Sequence, residues 1–147
     1  MSYPNEPDFV TVKVGDGADP EVFTTICGIE NVTLSKTVNT SDRFRRDCAK
    51  PGVIPTRKIK VTGKQWDASG SGVINTDEFT RFNSVLGIRR NYHFEFGRRD
   101  GTDEGEIIGV YEGPGLLTAA NLNMGDNEGS ADLTIAGEDD IVWTPAD

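Results

Sequence analysis

The stretch DASGSGVINTDEF, residues 67–79, has the residue types and spacing of a calcium-binding loop. Asp67, Ser69, Ser71, Val73, Asn75 and Glu78 fall at positions 1, 3, 5, 7, 9 and 12 of an EF-hand frame, with Gly72 at position 6 and Phe79 just after it. In such a loop, side-chain oxygens and one backbone carbonyl converge on a single cation. Only Asp67 and Glu78 would bring charge here, because the two serines and the asparagine are neutral. Affinity rises with ligand charge, so a Ca²⁺ site in this loop would be weak, about 10⁻⁴–10⁻³ M. It would fix local structure and not act as a sensor.

The same letters have a second reading. An EF-hand needs a helix on both sides, yet the preceding RKIKVTGKQW (57–66) alternates β-branched residues with lysines and reads as strand. With Asn75 as helix N-cap, Glu78 becomes the third helical residue of a capping box. Ile74 and Phe79 then form a hydrophobic staple. Asp77 and Glu78 also suit the positive end of the helix dipole. Asp67 to Gly72 are then ordinary turn residues.

No other constellation points to catalysis. The single histidine, His93, lies on the polar face of a strand, without a second histidine for a metal or a triad. No serine or cysteine stands in a nucleophile elbow, and no glycine-rich loop precedes a helix. Cys27 and Cys48 read as two reduced thiols. An enzyme is therefore not expected, and no cofactor is required.

The elements that position these residues are mostly strands. Period-two patterns run through 8–14, 21–27, 29–36, 57–66, 91–96, 106–112, 115–124, 130–137 and 140–144, bounded by Gly, Pro, Asn and Asp. NYHFEF (91–96) is the clearest, with Tyr92, Phe94 and Phe96 on one face. Phe79, Phe82, Val85 and Leu86 recur at helical spacing, which predicts one amphipathic helix over about 76–86, closed by Gly87. A long loop is expected over 37–56, rich in Arg43, Arg45, Arg46 and Lys50. The expected fold is mainly β: an antiparallel β-sandwich or partly closed barrel flanked by that helix, in a single domain over 1–147.

Charge and length narrow the function further. The 147 residues carry a formal charge of −9, which repels nucleic acid and anionic membranes. No apolar run approaches the ~20 residues of a membrane span, so no membrane partner is expected. The start MSYPNEPDF has neither a basic n-region nor an apolar h-region, so maturation in the cytoplasm is expected.

Taken in order, FTTICGIENVTLS, the charged TSDRFRRDCAKPG, KIKVTGKQWDASGSGVINTDEFTRF, NYHFEFGRRDG and GLLTAANLNMGDNEGSADLTIAGE resemble the tail tube (major tail) proteins of long-tailed bacteriophages and phage-like particles. The resemblance covers nearly the whole chain and rests on element order, without an invariant motif. It implies a structural virion protein, assembled in the host cytoplasm. Six copies would join sheets edge to edge into a ring, and rings would stack into a tube that conducts DNA during ejection. Its partners would be itself and other tail proteins at the tube ends. DNA would pass a negative lumen without specific binding, with Lys58, Lys60 and Lys64 outside or paired. The loop at 37–56, through Arg43, Phe44, Arg45, Arg46 and Asp47, would reach the adjacent ring. The alternative, carried by the opening motif alone, is a calcium-binding β-sandwich module with an EF-hand-like loop at 67–78.

Overall fold

The computed structural model describes residues 5–126 and 128–146. Eight strands form one antiparallel sheet: β1 (Phe9–Gly15), β2 (Phe23–Thr25), β3 (Ile29–Phe44), β4 (Arg57–Val73), β5 (Arg89–Arg98), β6 (Glu106–Asn123), β7 (Ser130–Gly137) and β8 (Val142–Pro145). Their order is β2-β1-β5-β6-β7-β4-β3, and β8 continues alongside β6 where β7 ends. The sheet curls until β1 comes close to β3, but no ladder closes it. It is an open, strongly curved version of the expected barrel.

Alternation explains the core. Val12 and Val14, Tyr92 and Phe94, and Leu133 and Ile135 occupy the concave face at every second position, and all are buried. Trp66, 2 % exposed, lies at the centre of a glycine platform. A Cβ on Gly137 would meet Trp66 Cε2 at 2.1 Å, and one on Gly113 would meet Cζ2 at 3.1 Å. The small residues in GVYEGPG and IAG thus make room for one large indole. The ring's Nε1 donates to the carbonyl of Glu138 at 3.2 Å, satisfying its one polar atom.

A 3₁₀ turn, Thr76–Glu78, leads into α1 (Phe79–Val85). Phe82 and Val85 are buried in the core cluster, and Phe79 packs against it. Gly87, at φ 75°, closes the helix and donates to the carbonyl of Leu117. Asn75 caps as expected, its side chain accepting from the Asp77 N–H at 3.1 Å. The other half of the capping box does not form. The Glu78 carboxylate turns inward, accepts from the Cys27 N–H at 3.3 Å and pairs with Arg81, which also donates to the Thr25 carbonyl. Helix and β2–β3 turn are thereby tied together.

Several expectations about element bounds change. The run 57–66 does not stop at Trp66 but continues as β4 to Val73, because β3 and β7 take up its backbone groups on both sides. Segments 106–112 and 115–124 fuse into the single strand β6 across Gly113-Pro114-Gly115, although Pro114 has no N–H to give. The loop expected over 37–56 shrinks to 45–56, because β3 runs on to Phe44 paired with β4. Helical structure spans 76–85, but its first turn is 3₁₀.

Candidate assembly surface

Four of the six residues of the calcium frame lie in an extended strand, and the other two in the turn that follows it. Asp67, Ser69, Ser71 and Val73 sit at alternate positions of β4, so Asp67 and Val73 are about 20 Å apart along the strand. A calcium ion needs its ligands within about 2.3–2.6 Å of one point. Asn75 caps the 3₁₀ turn, and Glu78 is 6 % exposed and already paired with Arg81. Among the described residues, no three His, Cys, Asp or Glu side chains cluster as a metal set. Gly70 and Gly72, which resemble turn glycines, serve close packing inside a strand. A Cβ on Gly72 would lie 1.8 Å from the Gly28 carbonyl oxygen, and one on Gly70 would lie 2.7 Å from Ile29 Cγ2.

His93 also has a local role. Its ring stacks on Phe23 at 3.6 Å between centroids, and Nε2 lies 3.1 Å from a Glu112 carboxylate oxygen. Arg89 pairs with Glu138 of the same chain at 2.5 Å, which holds its guanidinium above the usual arginine range. Cys27 and Cys48 are both exposed and unbridged.

The feature without a role inside the chain is the outer half of the β3–β4 hairpin. β7 pairs with β4 only over Asp67–Val73. Beyond Trp66, the ribbon Lys36–Phe44 against Arg57–Trp66 has no further strand on either side among the described residues. It leaves the body as an arm about 30 Å long, at about 3.3 Å per residue, tipped by the turns of residues 45–56. A two-stranded ribbon alone is marginally stable in water.

The register gives the arm two unlike faces. A bulge between Asn39 and Thr40 resets the pairing, after which Thr40 faces Val61, Asp42 faces Ile59 and Phe44 faces Arg57. That face carries Phe44, Ile59 and Val61, which are 68 %, 53 % and 58 % exposed. An Arg57–Asp42 pair at 3.8 Å lies among them. Ile59 and Val61, whose alternation suggests a core face, are therefore more than half exposed and take no part in the core cluster of the described residues. The opposite face carries Arg43, Lys58, Lys60 and Ser41. Arg43 and Phe44 thus end β3, while Arg45, Arg46 and Asp47 begin the tip, where Ile54 is 84 % exposed. Lys58, Lys60 and Lys64 are all exposed. At the root, Lys36, Lys64 and Trp66 line one wall of a cleft of about 470 Å³, and Asp139–Trp143 line the other.

Charge is divided as sharply as the fold. Residues 36–64 hold nine Lys and Arg and two Asp, a net of +7; the rest of the chain holds six Lys and Arg and 22 Asp and Glu, a net of −16. The moderate total of −9 hides this division, and only the strand pairing shows that the basic segment is one projecting object.

No family model matches the chain, and no curated protein matches it. Solved structures match it over almost its full length. A chain from the tail of an empty gene transfer agent particle, solved with C6 symmetry, aligns with 92 % of this chain and 95 % of its own, at 20 % identity and a TM-score of 0.60. One from the extended sheath–tube complex of PVC, an extracellular contractile injection system, covers 99 % and 95 % at 14 % identity and 0.63. The SPP1 tail tube covers 97 % and 80 % at 7 % identity and 0.63. The fold is that of tail tube proteins. At these identities the likeness is one of architecture. The tail-tube fold accounts for an open curled sheet with one short helix on it.

Proposed function

We propose that this protein is the subunit of a tail tube: six copies close into a ring, rings stack, and the bore conducts DNA without enzymatic chemistry. The observation that carries this reading is the arm, a long ribbon with no strand beside it among the described residues, on a fold similar over most of its length to tail and tail-tube chains. Packing the arm against the next ring would bury Phe44, Ile59 and Val61, at about 1.5–3 kcal/mol per fully buried side chain. The free edges of β3 and of β1 beyond β2 supply backbone donors and acceptors for neighbours within a ring. A body with a net charge of −16 suits a conduit, because a basic bore would hold phosphates in place. The subunit would reside in a virion tail, with other tail proteins at the tube ends. Negative-stain microscopy of the purified protein at tens of micromolar tests the reading. Rings of six or tubes are expected, and a folded chain that stays monomeric overturns it.

A further inference from the structure

We propose that the subunit is an axial charge dipole and that this dipole sets the direction of stacking: the basic face of the arm docks on the acidic far end of the next copy. The proposal rests on the tail-tube reading and names the surface that receives the arm.

The topology fixes the two ends. β1, β4 and β6 run parallel to one another, because each is separated from the next by one antiparallel neighbour. Their C-terminal ends therefore share one side of the molecule, and the arm tip, before β4, lies on the other. The far end gathers Asp16 and Asp19 after β1, Glu30 at the start of β3, Asp77 after β4 and Asp126 after β6. All five are exposed. The two arginines near them do little to neutralise this end. Arg81 is held by Glu78 and the Thr25 carbonyl, so the five carboxylates face one uncommitted cation, Arg90, which donates to the Arg89 carbonyl and lies against the 16–21 turn, where its charge reaches Asp16. Asp16 accepts from the Ala18 and Val22 N–H groups, which pulls its carboxyl below the usual range and keeps it charged.

The arm's positive charge is equally uncommitted. Among the described residues, Arg57 with Asp42 is its one ion pair, and that pair sits on the apolar face. Arg43, Lys58 and Lys60 on the other face have no carboxylate partner there. A second acidic group, Asp100, Asp103 and Glu104 between β5 and β6, lies at the arm's own end beside Arg98 and Arg99. An arm reaching away from its body faces the far end of the next copy, not this loop. Two arms or two far ends brought together would repel. Contact is therefore head-to-tail and heterologous, the type that propagates a filament.

The threshold concentration for assembly, read by light scattering at about 0.1 M and about 1 M NaCl, tests this, since the Debye length falls from about 10 Å to about 3 Å over that range. The unmodified chain should need at least about tenfold more protein at high salt. Three full-length variants follow, each checked for native circular dichroism: R43E/K58E/K60E, E30K/D77K/D126K, and D103K/E104K. The first two should each fail to assemble alone at the normal threshold yet co-assemble when mixed in equal amounts, because each then presents the other's complement. The third should assemble normally. The proposal is overturned if the threshold is independent of salt, if R43E/K58E/K60E assembles normally, if the mixture stays unassembled, or if D103K/E104K behaves like the far-end variant. It is also overturned if R43E/K58E/K60E loses binding to duplex DNA while its assembly is unchanged. An unmodified chain that remains monomeric at every salt concentration overturns the tail-tube reading itself, whereas salt-independent tubes overturn the charge proposal alone.

Discussion

Single atoms decide what the glycines and one tyrosine do. Gly72 faces the Gly28 carbonyl at a distance no Cβ tolerates, so Gly72→Ala should cost about 3 kcal/mol or more through forced separation of β3 and β4. Ser69→Ala, on the exposed side of the same strand, should stay within about 0.5 kcal/mol. Chemical denaturation of the two variants checks the contrast. This is also where sequence reading failed on physical grounds. Gly70 and Gly72 in DASGSG are equally suited to a metal loop and to a close strand crossing, and the deciding atom belongs to Gly28, more than forty residues away. Tyr92 gives a second test. Its hydroxyl is buried without a hydrogen-bond partner among the described residues, and burial pushes its pKa up to about 12. The unfolded chain releases that proton near pH 10. Unfolding thus releases a proton between about pH 10 and 12, and stability falls as pH rises through that window. Tyr92→Phe should remove this part of the alkaline loss and add about 1 kcal/mol at neutral pH, because no orphaned hydroxyl remains. Equal alkaline slopes for the two proteins would refute this account.

Among the elements, the strands of the body were legible because alternation and burial coincide. Val12 and Val14, Tyr92 and Phe94, and Leu133 and Ile135 point where period-two reading puts them. The arm was not legible for the converse reason. Residues 37–44 form regular strand without a buried side, so nothing in their hydrophobic pattern marks them, and Ile59 and Val61 alternate as if for a core that this chain does not supply. Asn75 marks the helix start in the sequence itself, while Glu78 is drawn away by Arg81, one turn on, and by the Cys27 N–H, which lies far off in the sequence. β4 also yields a ligand test. Because Asp67 to Val73 are extended, adding millimolar calcium or a chelator should leave the melting temperature unchanged. A calcium-dependent rise of several degrees would require those residues to rearrange.

At the scale of the whole molecule, body and arm should be separable. Replacing residues 40–61 by Asn-Gly, a pair suited to a tight hairpin turn, removes the ribbon beyond the bulge and leaves every buried core side chain in place. The shortened protein should melt within a few degrees of the intact chain, since the removed ribbon contributes no side chain to the core, but should form no tubes. Normal tubes from it would disprove the stacking role. In the intact chain, residues 45–56 should be cut by trypsin in the monomer and protected in the assembly. One consequence follows from the place of Trp66. Its indole is clamped by glycines where the ribbon leaves the sheet, and it shares the cleft at the arm's root with Trp143, which is 40 % exposed. One tryptophan is shielded and the other open, so the protein contains its own optical gauge. Iodide should quench Trp143 and spare Trp66 in the free subunit. The quenched fraction should fall as neighbours cover the root, so that assembly can be timed in solution without a label.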